Sequence, residues 1–313
     1  MTEDERTYEE RFNPLSRRMR RLRRRLSWSL KTALGGTRNI LVETRWRLGD
    51  EIMALPIYEG LKESYPDAKF VAWCNYPDLL QNNPFVDTVL PGDADPRRIA
   101  CDKYILLRGA PRDAFRLDHY AACAGIPTPA ADPQLYLDDP DPPIVAEAKG
   151  DAPAFIAVCT GASWPTKRWP ITQWQELCRL LERKDHRIVQ VGLNDEPIGR
   201  GVSLLNRTSV LEMAHVLRAA DLLVCCDSGP MHLALAAGTP VVALFGPTVA
   251  SILIRQGLPC TVLTNGRPCQ GCWNISQQMT EPGQCPLHIP GCMEPLAADT
   301  VFGFVREVAT RGR

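Results

Sequence analysis

Residues 222–248 read Leu-Leu-Val-Cys-Cys-Asp-Ser-Gly-Pro-Met-His-Leu-Ala-Leu-Ala-Ala-Gly-Thr-Pro-Val-Val-Ala-Leu-Phe-Gly-Pro-Thr, and they constrain the fold more than any other stretch of this 313-residue chain. Leu222 to Cys226 is an apolar run of strand type, Asp227-Ser228-Gly229-Pro230 is a turn, Met231 to Ala237 reads as a helix, and Val241 to Phe245 is a second strand. Strand, turn, short helix and strand make a βαβ unit, which requires a parallel sheet and therefore an α/β fold. In an open parallel sheet ligands bind at the carboxyl edge of the strands, which is where the 227–230 turn falls.

The turn carries the chemistry that a diphosphate needs. Ser228 and Gly229 can bring backbone N–H groups close to oxygen, and the helix that follows points its N-terminus at an anion. His232 stands on the first turn of that helix. Taken singly, Asp227 or Ser228 would be a helix cap and His232 a packed histidine. Taken with Gly238-Thr239-Pro240 and Gly246-Pro247-Thr248, they form one constellation drawn from two adjacent turns.

The alternation of strands and helices extends along the chain. Asn39 to Thr44 is a strand, Leu48-Gly49-Asp50 a turn, Asp50 to Ser64 a helix and Lys69 to Cys74 a strand. Val86 to Leu90 and Lys103 to Leu107 are further strands, and Arg112 to Ala124 is a helix. Asp138-Asp-Pro-Asp-Pro-Pro143 cannot continue a helix or a central strand and reads as a linker. Beyond it come strand Ala154 to Cys159, helix Thr172 to Lys184, strand His186 to Val191, helix Ser209 to Ala219, the signature, and a final helix Ala297 to Thr310. The expected organisation is a basic segment 1–36, a first domain 37–145, and a second domain 146–313 that contains a Cys-rich loop at 268–292.

Hydrophobic residues at 45% and charged residues at 23% describe a soluble globular protein, and no apolar run has the length of a membrane span. Lys+Arg and Asp+Glu are equal at 36 each, yet residues 17–31 hold eight basic side chains and no acid, so the remainder is acidic. Leu15, Met19, Leu22, Leu26 and Leu30 recur at helical spacing between the arginines, and Trp28 adds an interfacial side chain. A helix of this kind suits an anionic membrane surface. The competing readings are an inert or oligomer-forming helix and a nucleic-acid arm; the apolar stripe argues for the membrane, and no nucleic acid is expected. Without a secretory signal the expected location is the cytoplasm, peripheral to the inner face of the inner membrane.

Twelve cysteines are many for an intracellular protein. Eight lie mostly in apolar runs and read as small buried residues. Cys269, Cys272, Cys285 and Cys292 instead occupy a Pro- and Gly-rich loop, with one close pair, and suit a structural tetrahedral zinc or iron site. Reduced unliganded thiols, or a disulfide under oxidising conditions, are the alternatives.

The 224–248 signature resembles that of glycosyltransferase family 9, the bacterial ADP-heptose:lipopolysaccharide heptosyltransferases. Asn39-Ile-Leu-Val-Glu-Thr-Arg-Trp-Arg-Leu-Gly-Asp-Glu-Ile-Met-Ala-Leu-Pro56 resembles the family's first strand, Gly-Asp turn and Pro-containing helix, and Gly161-Ala-Ser-Trp-Pro-Thr-Lys-Arg-Trp-Pro170 resembles its lysine-bearing loop. The resemblance implies the GT-B architecture, two Rossmann-like domains with parallel sheets facing across a cleft, with the last helix returning to the first domain. It implies inverting sugar transfer with Asp50 as the base, a residue whose plainer reading is a helix N-cap. Lys167, with Arg168 beside it, is the implied cation for the departing diphosphate, and Asp227, Ser228, Gly229 and His232 complete the donor site. Glu196 is the expected ribose contact. No cofactor is required for catalysis, and the four-cysteine cluster is similar to the iron-binding one of relatives that glycosylate autotransporters. The expected function is transfer of heptose from ADP-heptose to a lipopolysaccharide-type or other glycan acceptor, lipid-linked or not. A protein acceptor, a UDP- or GDP-sugar donor, or nucleotide-sugar binding without turnover are the alternatives.

Overall fold

In the computed structural model, residues 39–109, 111–193, 195–275, 284–285, 287 and 291–311 are described. The basic segment, with its expected helix over residues 15–31, lies outside them. Among the described residues no helix is long and apolar enough to cross a membrane.

The first sheet is built from β1 (Asn39–Glu43), β2 (Lys69–Cys74), β3 (Thr88–Pro91) and β4 (Lys103–Leu106), all parallel, in the order β3-β2-β1-β4. Its helices are α1 (Leu48–Met53), α2 (Pro56–Ser64) and α3 (Arg116–Ala124). A single helix over 50–64 is expected from the pattern, but it is two: Pro56 opens α2 at a position where its missing N–H costs nothing, and the chain bends just before it. The helix expected from Arg112 begins only at Arg116, which leaves residues 111–115 outside it.

The second unit opens with α4 (Pro143–Lys149), followed by β5 (Phe155–Cys159), α5 (Ile171–Glu182), β6 (Arg187–Gln190), β7 (Val202–Ser203) and α6 (Val210–Arg218). It continues through β8 (Leu222–Cys226), α7 (Gly229–Ala236), β9 (Val241–Phe245), β10 (Cys260–Thr264) and α8 (Ala298–Arg311). The six strands are parallel in the order β10-β9-β8-β5-β6-β7. The runs Phe-Ile-Ala-Val-Cys, Leu-Leu-Val-Cys-Cys and Val-Val-Ala-Leu-Phe of β5, β8 and β9 are buried at every position, as strands covered on both faces must be. The Pro-rich linker does start a helix: α4 packs on α6, so a boundary at residue 145 would cut an element of the second unit. A second correction concerns α8. Among the described residues it packs on its own unit: Val301 and Val305 are buried in a cluster with Trp174, Leu177, Leu181 and Leu244.

Helix α7 explains how the two sheets are held together. Met231, Leu233, Ala234, Leu235 and Ala236 are all buried, and a helix apolar on every side has to be covered on every side. Its own sheet covers one face and α1 of the first domain packs on another. One apolar cluster accordingly runs from Ile40 and Ile52 through Met231 to Phe245.

Candidate active site

Both sheets have a point where the strand order reverses, between β1 and β4 in the first and between β5 and β8 in the second. The crevice beyond the carboxyl ends of such a strand pair is where an open α/β sheet receives a ligand. Asp50 and Arg116 follow β1 and β4; Lys167 and Asp227 follow β5 and β8. The packing of α1 on α7 brings the two crevices face to face. Two glycines allow that approach: a Cβ on Gly49 would lie 2.8 Å from His232 Cδ2, and one on Gly229 would lie 3.0 Å from Leu48 Cδ2.

On the second side, Lys167 Nζ is 2.6 Å from Asp227 Oδ2, with the two side chains 12% and 5% exposed. The Thr248 hydroxyl donates to the same oxygen at 2.5 Å. Burial alone would raise the Asp227 carboxyl, but the Lys167 ammonium and the hydrogen bonds from Lys167 and Thr248 outweigh it and hold the group below the usual Asp range. Ser228 occupies the N-cap position of α7 without capping it; its hydroxyl donates instead to the Cys226 carbonyl at 3.1 Å. In the first turn of α7 Pro230 has no N–H and Met231 N donates to Ser228 O at 3.1 Å, so Gly229 supplies the N–H that a phosphate at this helix end would meet. His232 is buried beside this pair, and burial lowers it to about 4, with Asp227 pulling the other way. At neutral pH the imidazole is uncharged.

On the first side, Asp50 is not a cap either: Arg47 takes that position and Asp50 sits in the first turn of α1. Burial raises its carboxyl above the usual value, while Arg116, a hydrogen bond from Tyr120, Arg47 and Lys167 oppose the rise. Tyr120 Oη donates to Asp50 Oδ1 at 3.1 Å, and Arg116 Nε lies 3.8 Å from the same oxygen, buried and without a hydrogen-bond acceptor. The neighbouring Glu51 plays a different part. It accepts from the backbone N–H groups of Trp46, Asn75 and Tyr76, and so ties the loop after β1 to the end of β2. Arg47 then reaches across the cleft and donates to Ser163 Oγ at 3.0 Å.

Glu196, the expected ribose contact, and its neighbour Asp195 are placed differently. The Glu196 side chain is exposed, and its carbonyl is engaged by Thr160 Oγ1 and Gln190 Nε2. The carboxylate at the strand ends is Asp195, which accepts from the Gly161 N–H at 3.1 Å and from the Cys159 thiol at 3.5 Å. Burial raises the Asp195 carboxyl against the pull of those bonds and of Arg168. Arg168 itself is pinned by its Nε to the Ala162 carbonyl at 2.9 Å. Arg116 and Tyr120 beside Asp50, and Asp195 at the strand ends, were not singled out from the sequence; the first two stand on the helix that follows β4 and the third in the segment after β6.

The four loop cysteines are free thiols. Burial raises the Cys292 thiol, and Cys272, Cys269 and Cys285 are close enough to raise it further. Cys272 is raised by burial and by Cys269 and Cys285. Asn265 Nδ2 donates to Cys292 Sγ at 3.3 Å. Among the described residues, however, no three Cys, His, Asp or Glu side chains converge as a metal site.

The sequence model of glycosyltransferase family 9 (heptosyltransferase) matches residues 112–279, more than half of the chain. Lipopolysaccharide heptosyltransferase 1 of Pseudomonas aeruginosa is 34% identical over 137 residues, which cover 41% of this chain and 38% of that protein. The chain spans between about a third and a half of the length of the curated relatives it matches. Among solved structures, the dodecameric iron-containing heptosyltransferase TibC of enterotoxigenic E. coli, in complex with ADP-D-β-D-heptose, superposes with a TM-score of 0.74 at 16% identity, covering 90% of this chain and 78% of that one. A glycosyl transferase family 9 protein from Veillonella parvula superposes with a TM-score of 0.69 at 16% identity, covering 88% of this chain and 98% of that one. The shared fold is that of two Rossmann-like domains.

Proposed function

Since the chain belongs to glycosyltransferase family 9, we propose that it transfers a heptose from ADP-heptose to a glycan acceptor with inversion at the anomeric carbon. The observation that carries this reading is the opposition of Asp50, at the crevice of the first sheet, to the Lys167–Asp227 pair and the α7 N-terminus at the crevice of the second.

In this reading the acceptor hydroxyl gives its proton to Asp50 as its oxygen forms a bond to the anomeric carbon. The bond from that carbon to the diphosphate oxygen breaks, and its electron pair leaves on ADP. Asp50 suits the base role because burial raises its affinity for a proton while Tyr120 and Arg116 keep it ionised and aimed. Lys167 and the Gly229 N–H at the start of α7 meet the charge that builds on the leaving diphosphate, and Asp227, itself held by Thr248, keeps Lys167 in place for that purpose. The Asp195 carboxylate, at the ends of β5 and β6, accepts from a ribose hydroxyl. His232, uncharged and buried, packs α7 against Gly49 and offers a neutral hydrogen-bonding nitrogen to the donor.

Calorimetric titration with ADP-heptose and with UDP- and GDP-sugars tests the donor: tight binding of a UDP- or GDP-sugar in preference to ADP-heptose overturns that part. Asp50→Asn tests the base, with turnover expected to fall by about a hundredfold or more while ADP affinity stays. Retained turnover removes Asp50 from the role.

Two subsidiary proposals accompany this one. Cys269, Cys272, Cys285 and Cys292 hold a structural zinc or iron ion; the spacing of the four cysteines in one loop and the iron-containing structural neighbour support it. Elemental analysis of protein purified without chelator tests it, and the absence of stoichiometric metal ends it. Residues 15–31 bring the enzyme to an anionic membrane surface bearing a lipid-linked acceptor. Unchanged sedimentation with anionic vesicles after removal of residues 1–36 refutes that role.

A further inference from the structure

The Cys-rich loop is fastened to the donor site by more than proximity. Gly271 N donates to Gly246 O at 2.9 Å, Trp273 N to Pro247 O at 2.9 Å, and Gln270 Nε2 to Thr248 O at 3.1 Å, while Asn274 Oδ1 accepts from Val249 N at 2.9 Å. These four bonds clamp the turn that carries Thr248, one of the two partners of Asp227 Oδ2. The other partner, Lys167, is reached by a different route. Trp273 meets Trp164 edge to face with ring centroids 4.9 Å apart, and Lys167 Nζ stands over the Trp164 ring at 4.4 Å. The far side of this stack belongs to the first domain. The Arg112 guanidinium lies 3.5 Å from the centre of the Trp273 ring, and Asn274 Nδ2 donates to the Arg112 carbonyl. Both groups that grip Asp227 therefore rest on residues 270–274, and those residues rest on Arg112.

We propose that Trp273 is a positioning residue for the donor diphosphate: seated between Arg112 of the first domain and Trp164 of the second, it holds the Lys167 ammonium on Asp227. This rests on the reading of Lys167 as the donor-site cation. An aromatic ring fixed at its edge by one neighbour and capped by a guanidinium has little freedom, and a lysine held over the face of the next ring inherits that order. The loop has then a second task besides enclosing its thiols. It couples the packing of the two domains to the geometry of the phosphate cation, because Arg112 stays on Trp273 only while the domains are together.

The experiment is calorimetric titration with ADP of the full chain and of Trp273→Phe, Trp273→Ala, Arg112→Ala, Lys167→Met and the Lys167→Met/Trp273→Ala pair, well below the melting temperature of each. Trp273→Ala is expected to weaken ADP binding about tenfold and Trp273→Phe by about threefold or less, since phenylalanine keeps a ring against Trp164. Arg112→Ala, which leaves the tryptophan in place, is expected to weaken it several-fold. In the Lys167→Met background the loss of Trp273 should add nothing, because Trp273 acts through Lys167. A Trp273→Ala protein that binds ADP within twofold of the wild type overturns the proposal, and so does a full additional loss in the Lys167→Met background. If Trp273→Ala lacks a melting transition, unchanged affinity in Arg112→Ala overturns it. A wild-type chain that does not bind ADP overturns the donor-site reading itself and this proposal with it; that result is distinct from a wild type that binds and a Trp273→Ala protein that binds equally well.

Discussion

Replacing Lys167 with methionine tests the electrostatics of the site apart from any turnover. The substitution leaves Asp227, 5% exposed, without the ammonium that stands 2.6 Å away. Removing one partner of a buried ion pair costs about 3–5 kcal/mol, because the other charge is left uncompensated. The structure places a ceiling on this. Asp227 can escape by taking a proton, which at pH 7 costs about 4.4 kcal/mol counted from the ordinary Asp value of 3.8. Thr248 continues to donate one hydrogen bond, so the lower part of the range, about 3 kcal/mol, is expected. For a unit of the size of the second domain, each kcal/mol shifts the melting temperature by about 2–4 °C, so Lys167→Met should melt about 6–12 °C below the wild type at pH 7. The pH dependence changes sign between the two proteins. In the wild type the Asp227 carboxyl is held low, so its contribution is present above the unfolded value and is lost as pH falls through the folded one. Without Lys167 burial dominates and the folded value is raised, so the penalty grows as pH rises above the unfolded value. At pH 5 the ceiling is about 1.6 kcal/mol, and the two melting curves should draw together. Calorimetric scans at pH 5, 7 and 8 measure all of this, and Lys167→Met/Asp227→Asn should recover at least half of the loss. A variant that melts within about 2 °C of the wild type at pH 7, or that is displaced equally at pH 5 and pH 8, refutes the reasoning.

Three further outcomes are expected. The acid limb of the kcat/KM profile should lie above the ordinary Asp value, and Arg116→Gln and Tyr120→Phe should each move it higher, because both groups favour the Asp50 carboxylate; a downward shift contradicts the assignment. Gly49→Ala places a methyl 2.8 Å from His232 Cδ2, where α1 meets α7, and should cost about 1–3 kcal/mol in urea unfolding, whereas an unchanged midpoint would show that the helices can separate freely. Asp195→Asn should weaken ADP binding by about tenfold and Glu196→Gln should leave it alone; the reverse order would restore Glu196 as the ribose contact.

How much of the site was legible beforehand follows from how local its signals are. The turn at 227–230 and the strands on either side were readable because a buried parallel strand must be apolar at every position and a phosphate-binding turn must be short and small, conditions that a stretch of contiguous residues either meets or fails. Lys167 and Asp50 were singled out only through resemblance, since nothing in their immediate neighbours distinguishes them from a solvated lysine and a helix cap. Glu196 and Asp195 differ by one position, and from the sequence either carboxylate serves. The choice belongs to the backbone after β6, which turns Asp195 toward the Gly161 N–H and Glu196 outward.

The amino-acid sequence by itself determined the class of fold, the strands of the first sheet, the four central strands of the second and the turn at 227–230, because burial on two faces and turn chemistry are properties of contiguous residues; the edge strands β7 and β10 were not read from it. Only the tertiary structure decided which side chains meet. Arg116 and Tyr120 reach Asp50 within the first unit, α8 stays on the second sheet, and Arg112 covers Trp273 between the two, where α1 seats against α7 and two glycines let the helices approach. Contacts of that kind join residues up to 162 positions apart, and no local pattern encodes a distance set by the packing of two separate sheets.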